Sequence, residues 1–270
     1  MATKHDQAKY TLYPRITDFV VDEFKLHSGE KGVRNMTTKE VLTKTFQELP
    51  GFVDTMDFKI MCEEYYWRRE GAHILLPESS ATLNTLLKGD LSIPNGRFSL
   101  PFDSFSVAAP KRFAFEGVEL PGFLVTMMPY AKALHYNFAP FYDYVGLPRP
   151  LGVITDDASE NARCITIVYR DIDRAYVRAV IVEDNFPAIL ESQSLDEFRE
   201  IVGDPTENSL ELNDRELSIQ WLAFKIVVAI GALDKSTDGQ SLTPGFKSKV
   251  APQLINRRPE LTPQYSTFSL

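Results

Sequence analysis

The stretch Ile219–Leu233, IQWLAFKIVVAIGAL, constrains this chain more than any other. Between Trp221 and Leu233 the only charged residue is Lys225, and Trp221, Leu222, Phe224, Ile226, Val227, Val228, Ile230 and Leu233 fall on every face of a helix. A helix that is apolar all round must be wrapped by other elements or lie in a membrane. Spanning a bilayer takes about 18 or more apolar residues with few charges. This run is shorter, and Gln220 and Lys225 interrupt it, so a buried core helix is expected and no membrane partner. The β-branched Ile226, Val227 and Val228 favour a strand, but the run exceeds a strand of roughly 4–8 residues. Asn213 or Asp214 supplies the helix start, Glu216 puts acid in the first turn, and the turn cluster from Asp234 to Gly239 ends it. Gly231 and Ala232 are small enough to admit a close neighbour or simply to pack in the core.

A chain of 270 residues, 44% of them hydrophobic, can bury a core around such a helix. Its net charge of −8 argues against nonspecific binding to a nucleic-acid backbone, which needs clustered Lys and Arg. The last segment is locally basic, with Lys235, Lys247, Lys249, Arg257 and Arg258 against Asp238 and Glu260, most simply as a solvated surface. Cys62 and Cys164 are too few for a disulfide framework or a cysteine-rich zinc site, which fits a reducing, cytoplasmic location. The polar N-terminus MATKHDQAKYTLYPR has no apolar core and does not read as a signal peptide.

Taken in order, residues 14–90 read as a helical part, 91–184 as a β-rich middle and 185–270 as a helical C-terminal part of a single domain, 1–270. Helical spacing places Ile16, Phe19, Val20 and Phe24 on one face of Ile16–Leu26. Thr37 or Thr38 caps a helix to about Leu49, Phe58–Arg69 reads as a helix burying Phe58, Met61, Cys62, Tyr65 and Tyr66, and Ala72–Leu76 as a strand. Ser79 or Ser80 caps a further helix that Gly89 closes. Pro101 disturbs the strand pattern of Phe98–Val107. EGVELPG reads as the connection of a hairpin between Phe113–Phe115 and Phe123–Met128, and a further apolar run covers Leu151–Ile154. Cys164–Tyr169 and Ala175–Val182, flanking RDID, form the clearest hairpin. Ser194 and Glu197 form a capping box, and the alternation at Tyr265–Leu270 predicts an edge strand.

The chemistry-bearing candidates are few. Tyr130, His135, Tyr136, Phe138, Phe141, Tyr142 and Tyr144 crowd into YAKALHYNFAPFYDY. Aromatics with polar tips suit a surface that is apolar yet wet. These rings either complete the core or serve recognition; the recognition reading takes Tyr130, His135, Tyr136, Phe141, Tyr142 and Tyr144 as the binding residues. Acidic residues at Asp156, Asp157, Asp171, Asp173, Glu183 and Asp184 stand at expected strand ends, where carboxylates can hold Mg²⁺. Their spacing matches no calcium loop or metallonuclease order. Glu23-Phe24-Lys25 resembles the tail of a restriction-type nuclease motif but lacks an upstream strand aspartate. The four histidines form no metal pair, and no nucleophile elbow or phosphate loop occurs, so no metal ligand and no cofactor is expected. His73, in an apolar strand, reads as a hydrogen-bonded core residue rather than a base.

The order Leu100-Pro101-Phe102-Asp103-Ser104-Phe105, a Gly-containing hairpin, the long apolar helix and finally Ile255-Asn256-Arg257-Arg258 before a short strand resembles uncharacterised proteins encoded by phages and prophages. The resemblance covers roughly the last two thirds of the chain and implies a mobile-element protein acting inside a bacterial cell; it brings no activity and no catalytic residue. The expected fold is α+β, a mostly antiparallel sheet packed on the helix at about 219–233. The expected function is binding to a protein partner. The alternative is a metal-dependent phosphoryl-transfer or nuclease-type enzyme built on the acidic cluster, which would require Asp156, Asp171 and Glu183 to converge.

Overall fold

A computed structural model describes residues 10–29, 32–70, 72–77, 79–88, 91, 98–115, 117–135, 139–148, 162–171, 176–202, 213–236, 243–246 and 267–269. The elements in chain order are β1 (Tyr10–Thr11), α1 (Ile16–His27), α2 (Thr38–Glu48), α3 (Met56–Glu70), β2 (Ala72–Leu75), α4 (Ser80–Lys88), β3 (Ser104–Pro110), β4 (Ala114–Phe115), β5 (Val118–Glu119), β6 (Phe123–Pro129), α5 (Tyr130–His135), α6 (Ala139–Val145), β7 (Arg163–Tyr169), β8 (Val177–Val182), α7 (Phe186–Glu191), α8 (Leu195–Val202), α9 (Asp214–Ser236), β9 (Thr243–Phe246) and β10 (Thr267–Ser269). The fold is α+β. An eight-stranded sheet runs β8-β7-β6-β3-β2-β10-β9, with β1 also paired to β3. β2 is parallel to β3 and to β10; the other pairings are antiparallel.

Strand side chains alternate between two faces, and each face finds its own helical layer. Phe123, Val125 and Met127 of β6, Ile165, Ile167 and Tyr169 of β7, and Val177, Ala179 and Ile181 of β8 pack with Leu222, Phe224, Ile226, Val227 and Ile230 of α9. The alternate residues Leu124, Met128, Cys164 and Val168 meet Val21, Leu42, Phe46, Phe58, Trp67 and Phe141 from the N-terminal helices and α6. The sheet is thus sandwiched, which is why its central strands read as continuous apolar runs. Burying one such side chain contributes about 1.5–3 kcal/mol.

The apolar run at 219–233 forms the middle of α9, and the helix extends beyond it at both ends. Asn213 caps it: the Glu216 backbone N–H donates to Asn213 Oδ1 at 2.9 Å, and the Asn213 N–H donates to Glu216 Oε2 at 3.0 Å, a reciprocal box. By length and composition α9 is long enough to cross a bilayer, but 72% of its apolar window is buried inside the fold. Lys225 is accommodated by lying over the Trp221 ring at 3.9 Å. Gly231 is the close approach: a Cβ there would lie 2.7 Å from the Ser99 carbonyl oxygen. Gly122 does the same for the N-terminal segment, since its Cβ would fall 2.3 Å from the Leu12 carbonyl carbon.

Several expectations are corrected. Phe19, expected inward, is 44% exposed, because α1 buries the face of Ile16, Thr17 and Val21 instead. The predicted hairpin across EGVELPG is tighter: β4 pairs with β5 around Gly117, whose φ of +84° permits the turn, while β6 joins β3 and β7. The strand expected from Phe98 begins only at Ser104, past Pro101. The C-terminal part is not all helix: β9 and β10 belong to the sheet, and β10 sits between β2 and β9 rather than at an edge. Ser194 accepts from Glu197 N–H at 3.2 Å, but the Glu197 carboxylate bonds Gln193 N–H, one residue earlier than the box requires. The apolar run Leu151–Ile154 lies outside the described residues.

Candidate functional site

The aromatic segment divides. α6 turns its Phe141, Tyr142 and Val145 face into the N-terminal core. Phe141 packs on Phe58 and Phe46 at 5.5 and 6.2 Å between ring centroids, and Tyr142 on Phe58 at 5.4 Å. Their exposures are 1% and 7%. The reading of Phe141 and Tyr142 as exposed anchors is therefore corrected: the period of a short helix lying on α2 and α3 makes them core. Burial raises the Tyr142 hydroxyl to about 12. Tyr130 and Tyr144 are half-buried. His135 ends α5, but its side chain, like Tyr136 and Phe138 as a whole, lies outside what is described.

Tyr144 finds company the sequence did not announce. Its ring lies 4.9 Å from Tyr65 of α3, with planes 32° apart. The Arg68 guanidinium, one helical turn on from Tyr65, stands 5.6 Å from that ring and 6.0 Å from Tyr144. Burial pushes the Arg68 pKa down from its ordinary value, while Tyr144 and Glu64 pull it back up. Exposed Lys39 at the start of α2 lies over Tyr144 at 5.7 Å. Tyr66, the next residue of α3, carries Lys132 over its ring at 5.7 Å. Tyr65 and Tyr66 were expected inward, yet both are half-buried and present ring area beside cations. The signal was present: three consecutive aromatics, Tyr65, Tyr66 and Trp67, span about 200° of helix and cannot all face one core. Trp67 is the one that goes in.

The described acidic residues do not gather. Asp171 follows β7 and pairs with Arg215 at 3.1 Å. Glu183 follows β8 and accepts the Phe98 N–H at 2.9 Å. The ladder pairs Cys164 with Val182 and Tyr169 with Val177, so Asp171 and Glu183 stand at opposite ends of it, separated by about 15 Å or more of strand. Asp184 is exposed beside Glu183, and Asp156, Asp157 and Asp173 lie outside the described residues. Among the described residues no three of His, Cys, Asp and Glu converge as metal ligands. Glu23-Phe24-Lys25 sits on α1, not on a strand; Lys25 Nζ donates to the Met36 carbonyl at 2.6 Å.

A second constellation lies beneath the surface. On the face of the sheet toward α3, polar groups replace aliphatic ones. Both acids of Cys62-Glu63-Glu64-Tyr65 are fully buried. Glu63 Oε1 accepts from Arg178 Nε and Nη2 at 2.7 and 2.6 Å, and Oε2 from the Thr166 hydroxyl at 2.8 Å. Glu64 Oε1 accepts from the Tyr13 hydroxyl and Ile16 N–H, both at 2.7 Å; Oε2 accepts from Thr17 N–H and Oγ1 at 3.0 and 2.6 Å. Ile16 and Thr17 open α1, so Glu64 supplies from α3 the carboxylate that a helix N-terminus favours. Burial nonetheless raises the Glu64 pKa above the ordinary carboxyl value, against the pull of those donors.

His73 lies in the same layer, with Nδ1 2.6 Å from Ser106 Oγ and its ring edge-on to Trp67 at 4.9 Å. Burial, with a smaller contribution from Arg15, lowers its pKa to about 3, so it is neutral at ordinary pH. Cys62 and Cys164 are buried free thiols, both pushed up by burial, Cys164 to about 12. Thiols held protonated are poor nucleophiles. In this layer the Glu63 and Glu64 carboxylates are met by donors from other elements and tie those elements together; the tyrosine rings with cations over them lie outside it. No protein-family model, curated protein or solved structure matches the chain.

Proposed function

We propose that this chain is an interaction protein, of the sort phages and mobile elements encode, engaging a protein partner inside the host cell through Tyr65, Tyr144, Arg68 and Lys39. The observation that carries the reading is the pair of half-buried tyrosine rings, 4.9 Å apart, with cations over them. Tyr and Arg are enriched in interface hot spots, and Tyr combines large apolar area with a polar end and little rotamer freedom to lose. Here the rings are also preorganised by contact with each other, which lowers the ordering cost of binding. The phage resemblance supplies the cellular setting. The phosphoryl-transfer alternative draws no support from Asp171 and Glu183, which stand beyond opposite ends of the β7–β8 ladder.

Capture from a bacterial lysate with the wild-type chain and with Tyr144→Ala tests the reading. The variant is expected to lose its partner, by about 2 kcal/mol or more in affinity, while keeping the wild-type melting profile within a few degrees. Identical captured sets for the two chains would sink it.

A further inference from the structure

Resting on that reading, we infer that the partner presents an acidic segment, one whose Asp or Glu side chains meet Lys39 and Arg68 while its backbone or apolar groups lie on the two tyrosine rings. The chain as a whole carries a net charge of −8, yet cations stand over both rings here: Lys39 over Tyr144, and Arg68 over Tyr65 and Tyr144. Lys39 is exposed, and no carboxylate forms an ion pair with it among the described residues. A cation held over a ring is already partly fixed, so a carboxylate arriving there gains a charge-assisted hydrogen bond with less side-chain freedom to lose. The tyrosine rings add amphipathic area that bare charge lacks, which separates this surface from an ordinary solvated lysine. Base stacking is the rival chemistry for exposed aromatics. It is disfavoured here because a phosphate backbone carries a charge at every nucleotide, extending past these cations over a chain that is negative overall, whereas a short segment can confine its acids to Lys39 and Arg68.

The test selects a random short-peptide library, displayed on yeast, against the full wild-type chain, with counter-selection on Tyr144→Ala. The selected peptides are expected to be enriched in Asp and Glu over the naive library. They should bind Lys39→Glu at least about tenfold more weakly than wild type and weaken further as NaCl is raised. Lys39 is exposed, so Lys39→Glu should melt with the wild type, and its loss of binding cannot be ascribed to misfolding. Peptides that depend on Tyr144 but show no acidic enrichment, or bind Lys39→Glu equally, overturn the acidic-partner inference and leave the interaction surface standing. A failure to find any peptide that tells wild type from Tyr144→Ala overturns both. Tyr144-dependent binding of a single-stranded oligothymidylate, read by fluorescence anisotropy, would overturn the protein partner in favour of nucleic acid.

Discussion

Removing one partner of the Glu63–Arg178 pair should be far more damaging than removing both. The two side chains are 0% and 2% exposed, and three of the contacts described above end on the Glu63 carboxylate. In Arg178→Met that carboxylate keeps the Thr166 hydroxyl but loses both guanidinium donors. An uncompensated buried charge costs about 3–5 kcal/mol, a large share of a typical stability of about 5–15 kcal/mol. Glu63→Leu takes the carboxylate from the buried guanidinium, which keeps the Ala133 carbonyl at 3.2 Å, while Thr166 can turn to the Thr126 carbonyl at 3.3 Å. That variant should fall in the same range. The double variant Glu63→Leu with Arg178→Met removes both charges and fills the space with apolar atoms of similar size. It should recover to within about 1 kcal/mol of wild type, since apolar replacement of a buried pair is often neutral or stabilising. Urea denaturation of the four proteins, read by far-ultraviolet circular dichroism, closes the cycle and gives the coupling energy. Raising the salt should change it little, because the pair is shielded from solvent ions. Two single variants costing under about 1 kcal/mol each, or a double variant costing their sum, would refute the claim that the pair acts as one buried unit.

Other expectations follow from packing and charge. Phe141→Ala should lose about 3–5 kcal/mol of stability, read by the same denaturation, and a loss below about 1 kcal/mol would show that the ring is not core. Gly122→Ala places a methyl 2.3 Å from the Leu12 carbonyl carbon, so backbone must move; a melting temperature equal to wild type would contradict the close approach. His73 binds a proton in the unfolded chain below about pH 6.5 but in the fold only near 3. Its stabilisation is thus complete above about pH 6.5 and lost as pH falls from there toward 3, by up to about 1.4 kcal/mol per unit. Glu64, raised by burial, acts in the opposite sense, because its folded form takes up the proton first. Comparing wild type with His73→Phe between about pH 7 and pH 5 isolates the histidine: the variant should be the flatter of the two, and parallel curves would refute the assignment.

Periodicity made the sandwiched sheet and its helix legible. The apolar run of α9 and the CITIVY and AYVRAVIV strands carry their burial in composition alone. Thr37 and Asn213 were readable as caps because the donors they satisfy are local. What was not legible is what depends on distant partners. Glu63 and Glu64 look like the polar face of an ordinary helix, and it is distant donors such as Arg178, at a sequence distance of 115, and Thr17, at 47, that account for their burial. Of the candidate surface, Tyr144 was singled out from the sequence, Tyr65 was read as inward and Arg68 was passed over, while Phe141 and Tyr142 lie in the core instead. The sequence counts rings, but the face each one takes follows from where a short helix docks. β10 was found as a strand, but its place between β2 and β9 rests on pairing to residues nearly two hundred positions away.

The start of α1 is completed from a distance, and this orders events in time. Ile16 N–H finds its acceptor on Glu64, 48 residues later. During synthesis at roughly 5–20 residues per second, that acceptor appears only about 2–10 s after the helix has left the ribosome. Until then the first turn of α1 has water for a partner, and a lone helix of 12 residues is marginal in water. The N-terminal segment therefore settles only once α3 has formed, although it is made first.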